Sequence, residues 1–93
     1  MNSESLYNKI NNDYYVIFGL SYCGYCIKTK KYLKDHNKKY KYYEIDKYYK
    51  KFFDKLIKTY TKYPDIKFKT EHKTYPVIFY KGEFIGGYTN LIN

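Results

Sequence analysis

Tyr14-Tyr15-Val16-Ile17-Phe18 is an unbroken apolar run, and it leads through Gly19 toward the only two cysteines of the chain, Cys23 and Cys26. A strand with one wet face alternates apolar and polar residues. A run without alternation reads as a strand buried on both faces. Such a strand belongs in the middle of a sheet, and other elements must cover that sheet on both sides. The rest of the chain supplies them. Residues 24–37 read as helix, and residues 40–45 (Tyr-Lys-Tyr-Tyr-Glu-Ile) are strand-like. Residues 47–62 form the clearest helix. Tyr48, Tyr49, Phe52, Phe53, Leu56, Ile57 and Tyr60 make one stripe, with lysines on the other face. Pro64 ends it. Residues 65–75 read as a polar loop. Residues 77–80 and 83–85 flank a Lys81-Gly82 turn as a hairpin. A short amphipathic helix is expected over 3–12, from Leu6, Tyr7 and Ile10, and a helical stub at the end. A strand–helix–strand start followed by a hairpin predicts an open mixed sheet flanked by helices.

Ninety-three residues suit one domain. We take 1–93 as a single unit, with 1–13 as an N-terminal extension. That extension lacks the apolar block of a signal peptide, and no run is long enough to span a membrane. A cytoplasmic, reducing compartment is the expectation. Formal net charge is +9, from 18 lysines, no arginine and nine acids, and 16 residues are tyrosine. Lys, Asn, Ile, Tyr and Phe share A/T-rich codons, so much of this bias reads as genome composition. A basic, Tyr-rich surface is also what a nucleic-acid-binding module presents. The absence of arginine, the usual fork for phosphate and base edges, weighs against that alternative.

Cys23-Gly24-Tyr25-Cys26 carries the chemistry. A thiol at the first turn of a helix faces unpaired N–H groups and the positive end of the helix dipole, which favour its thiolate. A second thiol three residues on lies on the same face, within reach of a disulfide. So short a loop hardly restricts the unfolded chain, so a structural staple is a poor reading and a redox or metal role a better one.

Three segments together resemble the glutaredoxin family. Val16-Ile17-Phe18-Gly19 running into Cys23-Gly24-Tyr25-Cys26 is similar to the family's strand and C-P-Y-C motif. Thr74-Tyr75-Pro76-Val77-Ile78-Phe79 looks like its T-V-P segment with a cis proline. Gly86-Gly87-Tyr88-Thr89-Asn90-Leu91 is similar to its G-G-Y-T-D segment. The resemblance spans about Tyr15 to Leu91 and implies a thioredoxin-like α/β fold with a four-stranded mixed sheet and a truncated C-terminal helix. It also implies a glutathione-dependent thiol–disulfide oxidoreductase that reduces glutathionylated or disulfide-containing proteins, as a monomer. Cys23 would be the nucleophile and Cys26 the resolving thiol. Glutathione, as co-substrate, would meet Tyr25, Thr74, Tyr75, Pro76, Gly87, Tyr88, Thr89 and Asn90.

The chain departs from the pattern in places. Leu20 stands where the family carries a basic residue, with Lys28, Lys69 or Lys73 as possible stand-ins. Asn90 replaces an acid. The last helix stops at Asn93, and the 3–12 segment is expected to pack where its continuation would lie. Gly24, in place of proline, resembles members that hold a [2Fe–2S] cluster across a dimer through the first cysteine and glutathione. That is the main alternative. A zinc site from Cys23, Cys26, His36 and His72 matches no compact spacing. His36 falls near the far end of its helix, about 18 Å along the axis from Cys23, and His72 reads as a loop residue near the site.

Overall fold

The computed structural model describes residues 2–93. In chain order the elements are α1 (Ser3–Ile10), β1 (Tyr15–Gly19), α2 (Gly24–Asp35), β2 (Tyr40–Glu44), α3 (Phe52–Lys62), β3 (Val77–Tyr80), β4 (Glu83–Gly86) and α4 (Tyr88–Ile92), with single 3-10 turns at Asp46–Tyr48 and Pro64–Ile66. The four strands form one mixed sheet in the order β2-β1-β3-β4. Strand β1 runs parallel to β2 and antiparallel to β3, and β3 pairs antiparallel with β4. This is the architecture expected of a thioredoxin-like α/β domain. Among the described residues no helix is long and apolar enough to cross a membrane.

The uninterrupted run does sit at the centre. Val16, Ile17 and Phe18 are completely buried. Successive strand side chains point to opposite faces, so Val16 and Phe18 join one core with Leu6, Ile10, Phe52, Leu56, Val77 and Phe79, while Ile17 joins a smaller one with Leu33 and Ile78. The Phe18 ring packs 5.0 Å from Phe52 and edge-on to Phe79 at 6.1 Å. At the hairpin, Lys81 and Gly82 both adopt positive φ (52° and 79°). That pair of conformations matches the right-handed twist of the strands it joins. The chain leaves α2 through Asn37 at φ 55°, with Lys38 N–H donating to the Leu33 carbonyl at 2.9 Å.

Three expectations are corrected. The segment after β2 does not begin α3 at residue 47. Between residues 45 and 51 the backbone bonds span three residues rather than four, from Tyr48 N–H to the Ile45 carbonyl at 2.8 Å and from Lys51 N–H to the Tyr48 carbonyl at 2.9 Å. The chain makes a 3-10 turn instead, and α3 starts at Phe52. Tyr48 and Tyr49 are therefore exposed rather than part of the core stripe. Residues 65–75 are not a purely polar loop, because Ile66 and Phe68 are buried in the larger core. The N-terminal helix is ordered but lies on the other side of the sheet from the one expected. It packs on α3, whereas α4 packs on α2. Leu6 and Ile10, one turn apart, find the broad apolar surface of Phe52 and Leu56. Tyr7 stacks on Tyr63 at 4.1 Å, and the Asn2 side chain caps the helix by accepting from Ser5 N–H at 2.8 Å.

The N-terminal helix is thus part of the main core. Leu6→Ala is expected to lower unfolding free energy by about 2–5 kcal/mol, whereas Glu4→Ala, on the wet face of the same helix, should change it by less than about 0.5 kcal/mol. Urea unfolding of both variants checks this. Equal, small effects would show that α1 is only loosely attached.

Candidate active site

Strand β1 ends at Gly19, and the loop Leu20–Tyr22 is held before the helix begins. Ile45 N–H donates to the Gly19 carbonyl at 2.9 Å, and the Tyr42 hydroxyl donates to the Leu20 carbonyl at 2.8 Å. Ser21 N–H donates to the Asp46 carboxylate at 2.9 Å, and the Ser21 hydroxyl donates to its second oxygen. These bonds hold the Asp46 carboxyl below the usual carboxylate range. Cys23 then becomes the N-cap of α2, in extended conformation (φ −136°, ψ 111°), and its sulfur accepts the N–H of Cys26 at 3.2 Å. A sulfur in the position of a capping oxygen receives one of the helix's orphan donors together with its positive end.

Cys23 and Cys26 are joined as a disulfide, with Cα atoms 5.1 Å apart. They are not equivalent. Cys26 is completely buried, whereas Cys23 is only partly so. A thiol that attacks an outside disulfide must be reachable, a condition that Cys23 meets and the buried Cys26 does not. Behind Cys26 the space is tight. A Cβ on Gly19 would come within 2.8 Å of the Cys26 sulfur and would also collide with the Tyr42 hydroxyl. Glycine at 19 is a packing requirement that sequence reading did not single out.

The peptide bond Tyr75–Pro76 is cis, as the resemblance implied. The Tyr75 carbonyl oxygen lies 3.8 Å from the Cys23 sulfur. Beside it opens a cleft of about 600 Å³ lined by Tyr25, His72, Thr74, Tyr75, Pro76, Gly87, Tyr88, Thr89 and Asn90. Small-molecule sites have volumes of this order, ~300–1,000 Å³. All eight residues expected around a glutathione pocket are therefore gathered on one surface, next to the accessible cysteine. The lining holds no carboxylate, which suits an anionic ligand. Tyr25 and Tyr88 face each other across it at 5.8 Å, and Lys28 stands 5.2 Å from the Tyr25 ring. Lys69 and Lys73 are exposed and do not line the cleft. Asn90 is partly engaged, since its side-chain oxygen accepts Gly87 N–H at 3.0 Å and so caps α4. Gly86, at φ 131°, has no room for a side chain against Asn90.

His72 is the lining residue whose place sequence could only sketch. Its ring packs against Phe84 at 5.1 Å, and its Nε2 is buried without a hydrogen-bond partner among the described residues. His36 is far from it, stacked on Tyr32 at the other end of α2, with Nδ1 2.8 Å from the Tyr32 carbonyl. The four residues of the zinc alternative do not converge, and among the described residues no group of three or more His, Cys, Asp or Glu forms a metal-binding set.

Comparison with known proteins bears on this arrangement. The Glutaredoxin family model matches residues 15–85. The chain belongs to the glutaredoxin family. The matched stretch includes Cys23, Cys26 and Pro76 and ends before Tyr88, Thr89 and Asn90. The chain is 37% identical over 83 residues to mitochondrial glutaredoxin-2 of Homo sapiens, covering 87% of this chain and 44% of that protein. It is 33% identical over 82 residues to glutaredoxin-2 of Schizosaccharomyces pombe, covering 88% and 67%. It thus spans less than half the length of the mammalian relative. Among solved structures, the buckwheat glutaredoxin–glutathione complex has a TM-score of 0.71 at 23% identity, over 97% of this chain and 74% of that one. A dithiolic glutaredoxin of Trypanosoma brucei brucei has a TM-score of 0.62 at 26% identity, over 94% and 81%. The fold of this glutaredoxin is that of its structural neighbours.

Two predictions follow from the packing around the pair. Gly19→Ala should destabilise the protein by about 1–3 kcal/mol through overpacking and slow closure of the Cys23–Cys26 disulfide, measured by urea unfolding and by the rate of oxidation of the reduced form. Burial pushes Tyr42 and Tyr75 up to about 12. As pH rises through 10 the unfolded chain releases these protons first, so stability should be level near neutrality and fall between about pH 10 and 12. Urea midpoints across that range check the fall, which should be shallower in a Tyr42→Phe/Tyr75→Phe double variant.

Proposed function

We propose that this glutaredoxin reduces glutathione mixed disulfides and protein disulfides, with glutathione as co-substrate. The observation that carries the reading is the Cys23 sulfur: it caps α2, accepts the Cys26 N–H at 3.2 Å and borders the cleft at the Tyr75 carbonyl. The Cys23 thiolate attacks the glutathione sulfur of a mixed disulfide. The substrate thiolate leaves and takes a proton from water, and glutathione stays on Cys23. The thiolate of a second glutathione then attacks the bound glutathione sulfur. Oxidised glutathione departs, and the Cys23 thiolate returns. In the dithiol route Cys26 attacks the Cys23 sulfur of a mixed disulfide with a protein and releases that protein's thiol. The Cys23–Cys26 disulfide that remains is reset by two glutathiones.

Lowering the pKa of a thiol has two opposed effects. Going from ~8.5 to ~5.5 raises the thiolate fraction at pH 7 about 30-fold, while a Brønsted slope near ~0.45 lowers nucleophilicity about 20-fold. The net gain in attack is small. The larger benefit is on departure, because a low-pKa thiolate leaves readily from its own mixed disulfide. The capped position of Cys23 suits this second role most.

In the cleft, the cis-peptide segment Thr74–Pro76 would run beside the cysteinyl part of glutathione and Tyr88–Asn90 would meet its γ-glutamyl end. The Asn90 amide offers no charge to the ligand's ammonium, and Leu20 none to its carboxylate, so glutathione affinity is expected to be modest. The reading implies a monomer working in a reducing, cytoplasmic compartment. The [2Fe–2S] alternative finds one accessible cysteine in this chain and no converging ligand set among its described residues. It would require a second copy and glutathione to complete the ligands, and no step above passes through it.

Turnover of a glutathione mixed disulfide by wild type, Cys23→Ser and Cys26→Ser tests the proposal. Activity should vanish with Cys23 and persist without Cys26. Loss with either cysteine would restrict the chemistry to the dithiol route. A wild type without turnover, but coloured by a glutathione-dependent cluster, would replace this reading with the iron–sulfur one.

A further inference from the structure

The glutathione cleft occupies one side of Cys23. The other side carries an aromatic groove for which the proposed reaction has no use. Tyr22, adjacent to the nucleophile in the chain, is 98% exposed. It shares a depression of about 200 Å³ with Leu20, Asp46 and Tyr49. From Tyr49 a second depression of about 310 Å³ continues along the turn before α3, walled by Tyr48, Lys47, Lys50 and Lys51. Large rings clustered in water at one place mark a contact surface more often than rings scattered singly do.

The groove is fixed relative to the reacting sulfur. Tyr75, whose carbonyl lies 3.8 Å from Cys23, donates its hydroxyl to the Tyr49 carbonyl at 3.0 Å. Ser21 holds Asp46 from the other edge. Its charge is one-sided. Asp46, the only carboxylate in it, is taken up by Ser21, while Lys47, Lys50 and Lys51 make no ion pair among the described residues. Lys50 lies 5.8 Å from the Tyr49 ring, so part of the wall rests on the aromatic floor.

We propose that this groove docks an acidic polypeptide segment of the disulfide-bearing substrate, with an apolar side chain on Tyr22 and Tyr49 and carboxylates facing Lys47, Lys50 and Lys51. The inference rests on Cys23 as the attacking thiol and names the class of protein presented to it. A second copy of the chain fits poorly, because it would bring its own charge of +9 against these lysines. Nucleic acid lacks the arginine forks that usually read it.

The pre-reduced protein, without glutathione, is mixed with two peptides that carry the same disulfide, one flanked by glutamates and one by lysines. The two thiols of the protein become a disulfide and the peptide disulfide becomes two thiols, so no other reductant enters. The acidic peptide should react roughly tenfold faster at low salt, with the gap closing as salt screens the charges. Replacing Lys47, Lys50 and Lys51 with Gln should remove most of the preference. The same replacement at Lys34, Lys38 and Lys39, toward the far end of α2, should leave it. Tyr22→Ser should slow both peptides. Turnover of a small glutathione mixed disulfide should be unchanged in all three variants. Equal rates for the two peptides, or a preference lost equally with either lysine set, would overturn the docking site while leaving the thiol chemistry intact. Self-association that the Lys47/50/51 variant alters would reassign the groove to a second copy. Reaction with neither peptide would remove the thiol assignment and the docking site together.

Discussion

Val16 and Phe18 point to one side of the sheet and Ile17 to the other, and all three are completely removed from water. A central place in the sheet, covered on both faces, is what removes these side chains from water. Covering it requires α3 and α1 on one face and α2 and α4 on the other, and it requires β2 and β3 as neighbours for its backbone. Because the strand is central, its end is a fixed point. The chain emerges there at Gly19 and can present a cysteine to the start of a helix with little freedom of direction.

Function builds on that fixed point through a second constraint, the capping of α2. Helix starts usually receive Ser, Thr, Asp or Asn. Here a sulfur takes the position, and the same N–H that would satisfy a hydroxyl oxygen stabilises charge on a thiolate. The loop before it is tied by Tyr42, Ile45 and Asp46, all from the segment after α2. The cis-peptide segment approaches from the hairpin side and supplies the cleft. Three distant stretches of chain thus converge on one sulfur. The cleft lining carries no acid, and the lysines before α3 wall a separate, positively charged depression.

Some parts were readable from residues alone because they depend on local rules. The central strand, α2, the hairpin with Lys81-Gly82 at its turn, and the cysteine pair follow from periodicity, turn chemistry and spacing. The family resemblance brought in the cleft residues around Pro76 and Gly87, which no local rule connects to Cys23, separated from it by more than fifty positions. Other parts were not readable. Helical periodicity counted Tyr48 and Tyr49 into a core stripe, but the chain turns there through three-residue hydrogen bonds and leaves both rings exposed. Ile66 and Phe68 sit in a stretch whose composition is polar, and only the packed structure shows that the loop turns inward.

What the amino-acid order determined by itself is chemistry and pattern: which strand must be buried on both faces, where a helix begins, and that two thiols three residues apart start that helix. Those properties act over a turn or a strand, so neighbouring residues suffice to state them. Tertiary structure decided what depends on partners distant in sequence. It chose which cysteine is reachable, because burial of Cys26 comes from the sheet and Tyr42 rather than from its neighbours. It sent α1 to the face of α3, where Leu6 and Ile10 join Phe52 and Leu56 in the larger of the two cores. It set His72 against the cleft and left Tyr22 and Tyr49 in water, because exposure is a property of the folded surface and not of the residue.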